Sequence, residues 1–432
     1  MPDLISNPKM YLFIFEVLAL IFVISIAGIF ILVKRYESQA SKNIVINISK
    51  RIAAELGALW VKYIHDPGYE GWSEGRRDVS FGPKDGNRFP EANTEGLCQF
   101  LAKEFKGALN YCRNHKISEY ARNFDYESFE NPQLRLLRDE YHLDKLTEGI
   151  DEEIEKIILL RNWVKNRWEH GTPKDVAYNF NALDILSRAE KGEKFFCSEY
   201  STVFVQCALS IGLQARYVGL FKGHVVAEVW SNDLAKWVVM DVDNDLHYIR
   251  NGIPLNALEL HDAWVTGKWD EVQAMVGLKK RVADEKGKKD LLSFYHEFYI
   301  RMRNDWFSKK YPHWHPKANS IMNSLAWKDT YTSNNVPVSK KTEDKERIYF
   351  SLNVTSLNVI KDKTIKNRIY LILKTFTPNF SHFLIQIDDN KSIKQEGSVM
   401  VWNIHGGQNK LKCQAVNSLG VKGPPSEVKF VI

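Results

Sequence analysis

Polar and apolar positions change period several times along the chain, and each change marks a different kind of element. Residues 10–33, "MYLFIFEVLALIFVISIAGIFILV", are apolar on every side and carry one charge, Glu16. At about 1.5 Å of rise per residue the run extends about 36 Å, enough for a hydrocarbon core of about 30 Å, so one membrane-spanning helix is expected. A cleavable signal has an apolar region of about 7–15 residues. This run is longer and continues into "VKRYES", so an uncleaved single-pass anchor is the reading. Glu16, near its start, is expected to snorkel or to be shielded by a partner.

Helical spacing follows over 38–65, and a glycine-rich, charged stretch then has turn chemistry without periodicity. The helical pattern resumes over 97–112 and 132–142. It is strongest in "DEEIEKIILLRNWVKNRW", where Ile154, Ile157, Leu160, Val164 and Trp168 recur on one face behind an acidic first turn. In "CSEYSTVFVQCALSIG", Tyr200, Val203, Phe204, Cys207, Ala208 and Ile211 form a second stripe that ends at Gly212. Two alternating runs come next, "HVVAEVW" and "KWVVMD", joined by the polar turn "SNDLAK". From Arg347 the texture becomes "RIYFSLNV", "NRIYLILKTF", "HFLIQID", "SVMVWNI", "KLKCQAV" and "SEVKFVI", the signature of a small β-sandwich.

These textures divide the 432 residues into five stretches. They are a tail and anchor over 1–36, a mostly helical region over 37–149, a core over 150–265, a basic and aromatic extension with linker over 266–345, and a sandwich over 346–432. Charge adds little. The 59 basic and 53 acidic residues leave +6 with no block of one sign, so no nucleic-acid partner is expected. Membrane lipid around residues 10–33 is an expected partner.

Five cysteines, Cys98, Cys112, Cys197, Cys207 and Cys413, form neither a disulfide framework nor a zinc pattern. Cys98 and Cys112 are expected as separate reduced core thiols, with a bridge as the alternative in an oxidising compartment. Cys207 lies in mid-stripe and Cys413 on an alternating strand face, so both are expected in cores. The run "DVDND" does not fit a calcium loop, because Leu246 stands sixth and Gly252 twelfth from Asp241. "HWHP", with His313 and His315, is read as a surface aromatic segment. No metal and no cofactor are expected.

Cys197 differs from the other cysteines because it opens its helix, where unpaired N–H groups and the positive end of the dipole favour a thiolate. His224 opens the first strand and Asp241 closes the second. If Trp230 pairs with Trp237, positions whose numbers sum to an odd value share a face, and 224 with 241 satisfies this. Asp243 and Asp245 share that parity and compete for the same role. The expected catalytic residues are Cys197 as nucleophile, His224 as base and then acid, and Asp241 as the group that orients the imidazole. The Cys197 N–H would contribute to an oxyanion hole.

Residues from about 150 to 262 resemble the transglutaminase-like superfamily of papain-related thiol enzymes. The resemblance rests on the helix with Trp163, "NALDILSRAEKGEKFFCSEYSTVF", "GLQARYVGL" with Arg216, "HVVAEVW" and "KWVVMD". It departs at Val226 and Val242, where the family usually has an aromatic residue and often a proline. "CQAVNSLGVKGPPSEVKFVI" resembles the closing strands of immunoglobulin or fibronectin type III modules. The implied fold is α+β, with a helix carrying the cysteine packed on an antiparallel sheet carrying His224 and Asp241. The implied activity is attack on an amide bond through a thioester, with hydrolysis favoured over transfer to an amine. A non-catalytic scaffold binding peptide or glycan is the rival reading. The substrate would be a protein or peptide, free or glycan-linked. The sandwich favours a body outside the cytoplasm, while Lys34 and Arg35 after the apolar run favour the opposite.

Overall fold

The computed structural model describes residues 79–83, 95–105, 108–174, 180–220, 223–308, 324–330, 340–361, 364–365 and 367–432. The apolar run 10–33, the helical pattern 38–65 and the pair His313 and His315 lie outside the described residues. Among the described residues no helix is long and apolar enough to cross a membrane.

A six-stranded sheet organises the core, in the order Lys340–Thr342, Ser324–Trp327, Phe298–Arg301, Ala215–Leu220, Val225–Ser231, Lys236–Met240. Its pairs are antiparallel except the one between Lys340–Thr342 and Ser324–Trp327. The expected register is present, with Trp230 opposite Trp237 and Glu228 opposite Val239. The two indoles meet edge to face at 5.8 Å. A packed aromatic pair next to the turn resists a one-residue slip, which would exchange the two faces of every later position.

Both faces of this sheet are covered. Ala215, Tyr217, Val225, Ala227, Val229, Val238 and Met240 join a cluster with Val203, Phe204 and Cys207 of the helix Cys197–Ser210 and Ile157, Leu160 and Val164 of the helix Glu153–Lys165. Val218, Val226, Trp230, Trp237 and Val239 face the other way, toward Tyr248, Leu260, Tyr295 and Phe350. Double-sided burial explains why "VVAEVWS" is buried at every position rather than alternating.

Buried charge pins the second face. Arg216 donates to Glu228 from Nε at 2.9 Å and Nη2 at 2.6 Å, donates to the Ile348 carbonyl at 2.8 Å, and lies 4.0 Å over the Trp237 ring. Both partners are wholly buried. Glu228 also accepts from the Ala257 N–H and the Tyr349 hydroxyl, so its second oxygen is satisfied.

The strand-rich carboxy-terminal region consists of two sheets that share one apolar cluster, an arrangement compatible with a sandwich. One sheet runs Glu95–Gly96, Thr355–Lys361, Arg368–Thr375, Val399–Asn403. The other runs Ile393–Gln395, Phe380–Ile387, Gln408–Asn417, Ser426–Val431, Leu109–Arg113. Cys413 is buried here, as expected.

Several expectations change. The helical pattern over 97–112 is a helix only to Glu104, after which Leu109–Arg113 forms a strand antiparallel to Ser426–Val431. This reversal brings the Cα atoms of Cys98 and Cys112 to 5.8 Å, and the two are disulfide-bonded rather than separate thiols. "RIYFSLNV" is not a strand. It begins in the short helix Lys345–Ile348, and Phe350, Leu352 and Val354 then insert into the core with the alternation of extended chain but without a ladder partner among the described residues. The stretch read as extension and linker supplies three of the six central strands, at Phe298–Arg301, Ser324–Trp327 and Lys340–Thr342. Trp306 and Phe307 pack in the helical core.

The strand-rich carboxy-terminal region seats directly on the carboxy-terminal end of the cysteine helix. Gly212 adopts φ +85°, and a Cβ there would lie 2.8 Å from Val421 and 3.1 Å from Leu419. Asn417 Nδ2 donates to the Gly212 carbonyl at 2.9 Å. Glycine at this position ends the helix and also admits the neighbouring unit.

Candidate active site

Cys197 is the first residue of its helix. Glu199 closes the turn, its carboxylate accepting from the Phe196 N–H at 3.1 Å and the Ser198 hydroxyl at 2.7 Å. Behind the thiol, Tyr200 donates to the Trp168 carbonyl at 2.6 Å and stacks on the Trp168 ring at 4.3 Å. The start of the helix is therefore fixed while Cys197 itself stays half-exposed, its Sγ 3.8 Å from the Gly223 carbonyl. Cys207, one stripe inward, is fully buried, and burial pushes its thiol far up from the ordinary value.

His224 stands immediately before the strand Val225–Ser231, and Asp241 immediately after Lys236–Met240. His224 Nε2 lies 2.9 Å from Asp241 Oδ2. That contact leaves Nδ1 for the thiol. Asp241 is almost wholly buried. Burial alone would raise its carboxyl, but the charge and hydrogen bond of His224 and two donors from Asn244 overcome this and hold it below its ordinary value. Those donors are the Asn244 N–H at 3.2 Å and its Nδ2 at 3.0 Å. Burial likewise opposes protonation of His224, yet Asp241 and then Cys197 outweigh it and carry the imidazole up to about 11. The imidazole is thus held between a carboxylate and a sulfur, both of which favour its protonated form.

The competing aspartates have other partners. Asp245 accepts from Arg161 Nε at 2.8 Å and from Asn162 at 2.7 Å, a partly buried tie between the helix Glu153–Lys165 and the turn after the Asp241 strand. Asp243 lies 2.8 Å from His170 Nδ1 and 3.3 Å from Lys165 Nζ. Among the described residues, donor atoms of Cys197, His224 and Asp243 all lie within 4.8 Å of one another.

Two contributors escape the sequence reading. Asn244, at the tip of an acidic turn, reads there as turn chemistry. Phe294 comes from the 3₁₀ turn Ser293–His296 and places its ring 5.2 Å from the His224 ring. It supplies an aromatic wall although Val226 is aliphatic and points into the second core. Nothing in the spacing of Phe294 connects it with a histidine so far upstream.

A half-exposed thiol at a helix start, an imidazole beside it and a buried carboxylate behind that imidazole can perform nucleophilic acyl chemistry. The family model described as Transglutaminase-like superfamily matches residues 142–242, a span that contains all three groups. No curated protein matches the chain. A transglutaminase-like domain with a Cys-His-Asp arrangement is therefore present, and it supports a thiol enzyme.

Proposed function

We propose that this chain is a membrane-anchored thiol hydrolase that cleaves an amide bond through Cys197, His224 and Asp241. The observation that carries the reading is the 2.9 Å contact between His224 Nε2 and buried Asp241, which leaves Nδ1 for the thiol. In the resting pair the proton sits on His224, and the Cys197 sulfur attacks the carbonyl carbon. The carbonyl electrons move onto oxygen, where the N–H of Cys197, the first residue of the helix, is the donor. As the C–N bond breaks, His224 delivers its proton to the leaving amine, and a thioester remains on Cys197. Water then attacks, His224 takes its proton, and the acid leaves with the sulfur returned to its starting state. Asp241 balances the imidazolium throughout.

The substrate class is a protein or peptide, free or glycan-linked. The immunoglobulin-like sandwich is a positioning unit seated against the cysteine helix. The body lies outside the cytoplasm, held by residues 10–33. The Cys98–Cys112 bond supports that side, since disulfides persist in oxidising compartments, and we weigh it above the charge of Lys34 and Arg35.

The test is to incubate wild-type chain and Cys197→Ala with cell-surface polypeptides, with and without a labelled primary amine, and to analyse products by mass spectrometry. Cys197-dependent cleavage or deamidation without amine uptake is expected. Amine uptake into protein would replace hydrolysis by cross-linking. Products identical in both chains would overturn the enzyme reading in favour of a scaffold.

A further inference from the structure

We propose that the nucleophile site is also a zinc site: Cys197 Sγ, His224 Nδ1 and a carboxylate oxygen of Asp243 take one zinc ion, which silences the thiol reversibly. The site stands on geometry alone. Silencing as its consequence rests on the thiol-enzyme reading above.

One donor atom from each of Cys197, His224 and Asp243 lies within 4.8 Å of the other two, and Nδ1 is the His224 nitrogen that Asp241 leaves open. Tetrahedral zinc, with bonds of about 2.3 Å to sulfur and about 2.0–2.2 Å to nitrogen and oxygen, needs donor separations of about 3.5 Å. Closing the remaining distance takes side-chain adjustment rather than movement of the fold, because Cys197 is half-exposed.

The surroundings have the form that zinc sites require. A ligating histidine ordinarily holds a carboxylate on its other nitrogen, which fixes the ring and strengthens the donor. His224 already does so, with Nε2 2.9 Å from Asp241. A ligating carboxylate is ordinarily hydrogen-bonded in turn. Asp243 lies 2.8 Å from His170 and 3.3 Å from Lys165. His170 is itself fixed, because Gly171 donates to the Phe195 carbonyl at 3.1 Å and the His170 ring meets the Phe196 ring edge on at 5.8 Å. Asp243 has no part in orienting His224, so the zinc reading gives this tethered carboxylate a use the acyl chemistry does not.

The donor set also selects the metal. One thiolate, one imidazole and one carboxylate suit zinc. Calcium calls for about 6–8 oxygens, and magnesium for near-octahedral oxygen ligation. Three protein donors leave the fourth tetrahedral position for water. On binding, the S–Zn, N–Zn and O–Zn bonds form, and the proton shared by Cys197 and His224 passes to solvent.

The experiment uses the full-length chain in detergent. Cys197 alkylation by iodoacetamide is followed by mass spectrometry with zinc or calcium chloride added, and cobalt chloride is titrated in parallel under absorption. Expected is a slowing of alkylation of at least about tenfold by micromolar zinc, reversed by chelator and not reproduced by calcium. Asp243→Asn should raise the zinc needed for half-protection at least about tenfold. Cobalt should give a near-ultraviolet thiolate-to-metal band that Cys197→Ser lacks. The cobalt reading on wild-type chain needs no variant, so it decides the matter even if Asp243→Asn misfolds. Alkylation unaffected by zinc, equal protection in Asp243→Asn as folded as wild type by circular dichroism, or cobalt without the band would overturn the proposal. His224-dependent alkylation that ignores zinc would sink the zinc site and leave the hydrolase standing. Zinc protection without Cys197-dependent products would do the reverse.

Discussion

Trp230 lies directly opposite Trp237, and this pairing sets the register that brings His224 Nε2 to 2.9 Å from Asp241 Oδ2. The indoles are distant from the chemistry yet determine which carboxylate reaches the imidazole. Asp241→Asn should lower Cys197-dependent turnover by about 10³-fold or more, because the imidazolium loses its counter-charge and orientation. Asn244→Ala should cost about tenfold, since it removes one of the two donors that Asn244 gives Asp241 and leaves the backbone donor in place. Steady-state kinetics on any substrate found for the wild type checks both.

The cysteines predict a stepwise census. Cys197 is half-exposed, Cys207 and Cys413 are buried, and Cys98 is bonded to Cys112. Counted by maleimide labelling and mass spectrometry, native chain should take one label, denatured chain three and denatured reduced chain five. Cys112→Ala should lower unfolding stability by about 2–4 kcal/mol, as expected for a cross-link that closes a loop of this short length. Five labels without a reductant would remove the bond and the localisation argument built on it.

Arg216 and Glu228 are both buried without solvent contact. Arg216→Met strands the Glu228 charge and should cost about 3–5 kcal/mol by chemical denaturation. Adding Glu228→Gln should recover part of that loss, because the amide oxygen still accepts from the Ala257 N–H and the Tyr349 hydroxyl. A double variant no better than the single would mean that packing over Trp237, rather than charge, is what the arginine supplies.

The active pair also makes stability depend on pH. His224 is raised from 6.5 to about 11 in the folded chain, so between those values the native state holds a proton that the unfolded state has released. Its contribution is complete below the unfolded value and is lost as pH rises toward 11. Asp241 is lowered, so its contribution is complete above the ordinary carboxylate value and lost in acid. The urea midpoint of wild type should fall more between about pH 7 and pH 10 than that of His224→Gln. Parallel curves would show that the pair is not coupled to folding.

What was legible in the sequence was local and periodic. The stripe behind Cys197 gave the helix and the burial of Cys207, and strand parity placed His224 and Asp241 together. Long-range pairing was not legible. Leu109–Arg113 reads as the continuation of a helix, and only Ser426–Val431, far along the chain, makes it a strand. The strands at Phe298, Ser324 and Lys340 are only three or four residues long, so their identity comes from the sheet edge they extend. Phe294 and Asn244 reach the site through tertiary placement, which leaves no period to read. Three aspartates with one parity could be separated only by their partners: Arg161 for Asp245, His170 and Lys165 for Asp243, His224 for Asp241.

The most direct test of the account is the rate of Cys197 alkylation by iodoacetamide in wild type and His224→Ala at about pH 6 and about pH 9. Without His224 the thiol has no neighbouring base, so the wild type should exceed the variant by at least about tenfold near pH 6, with the gap narrowing near pH 9, where hydroxide serves both chains. Equal rates in the two chains at both pH values would contradict the account.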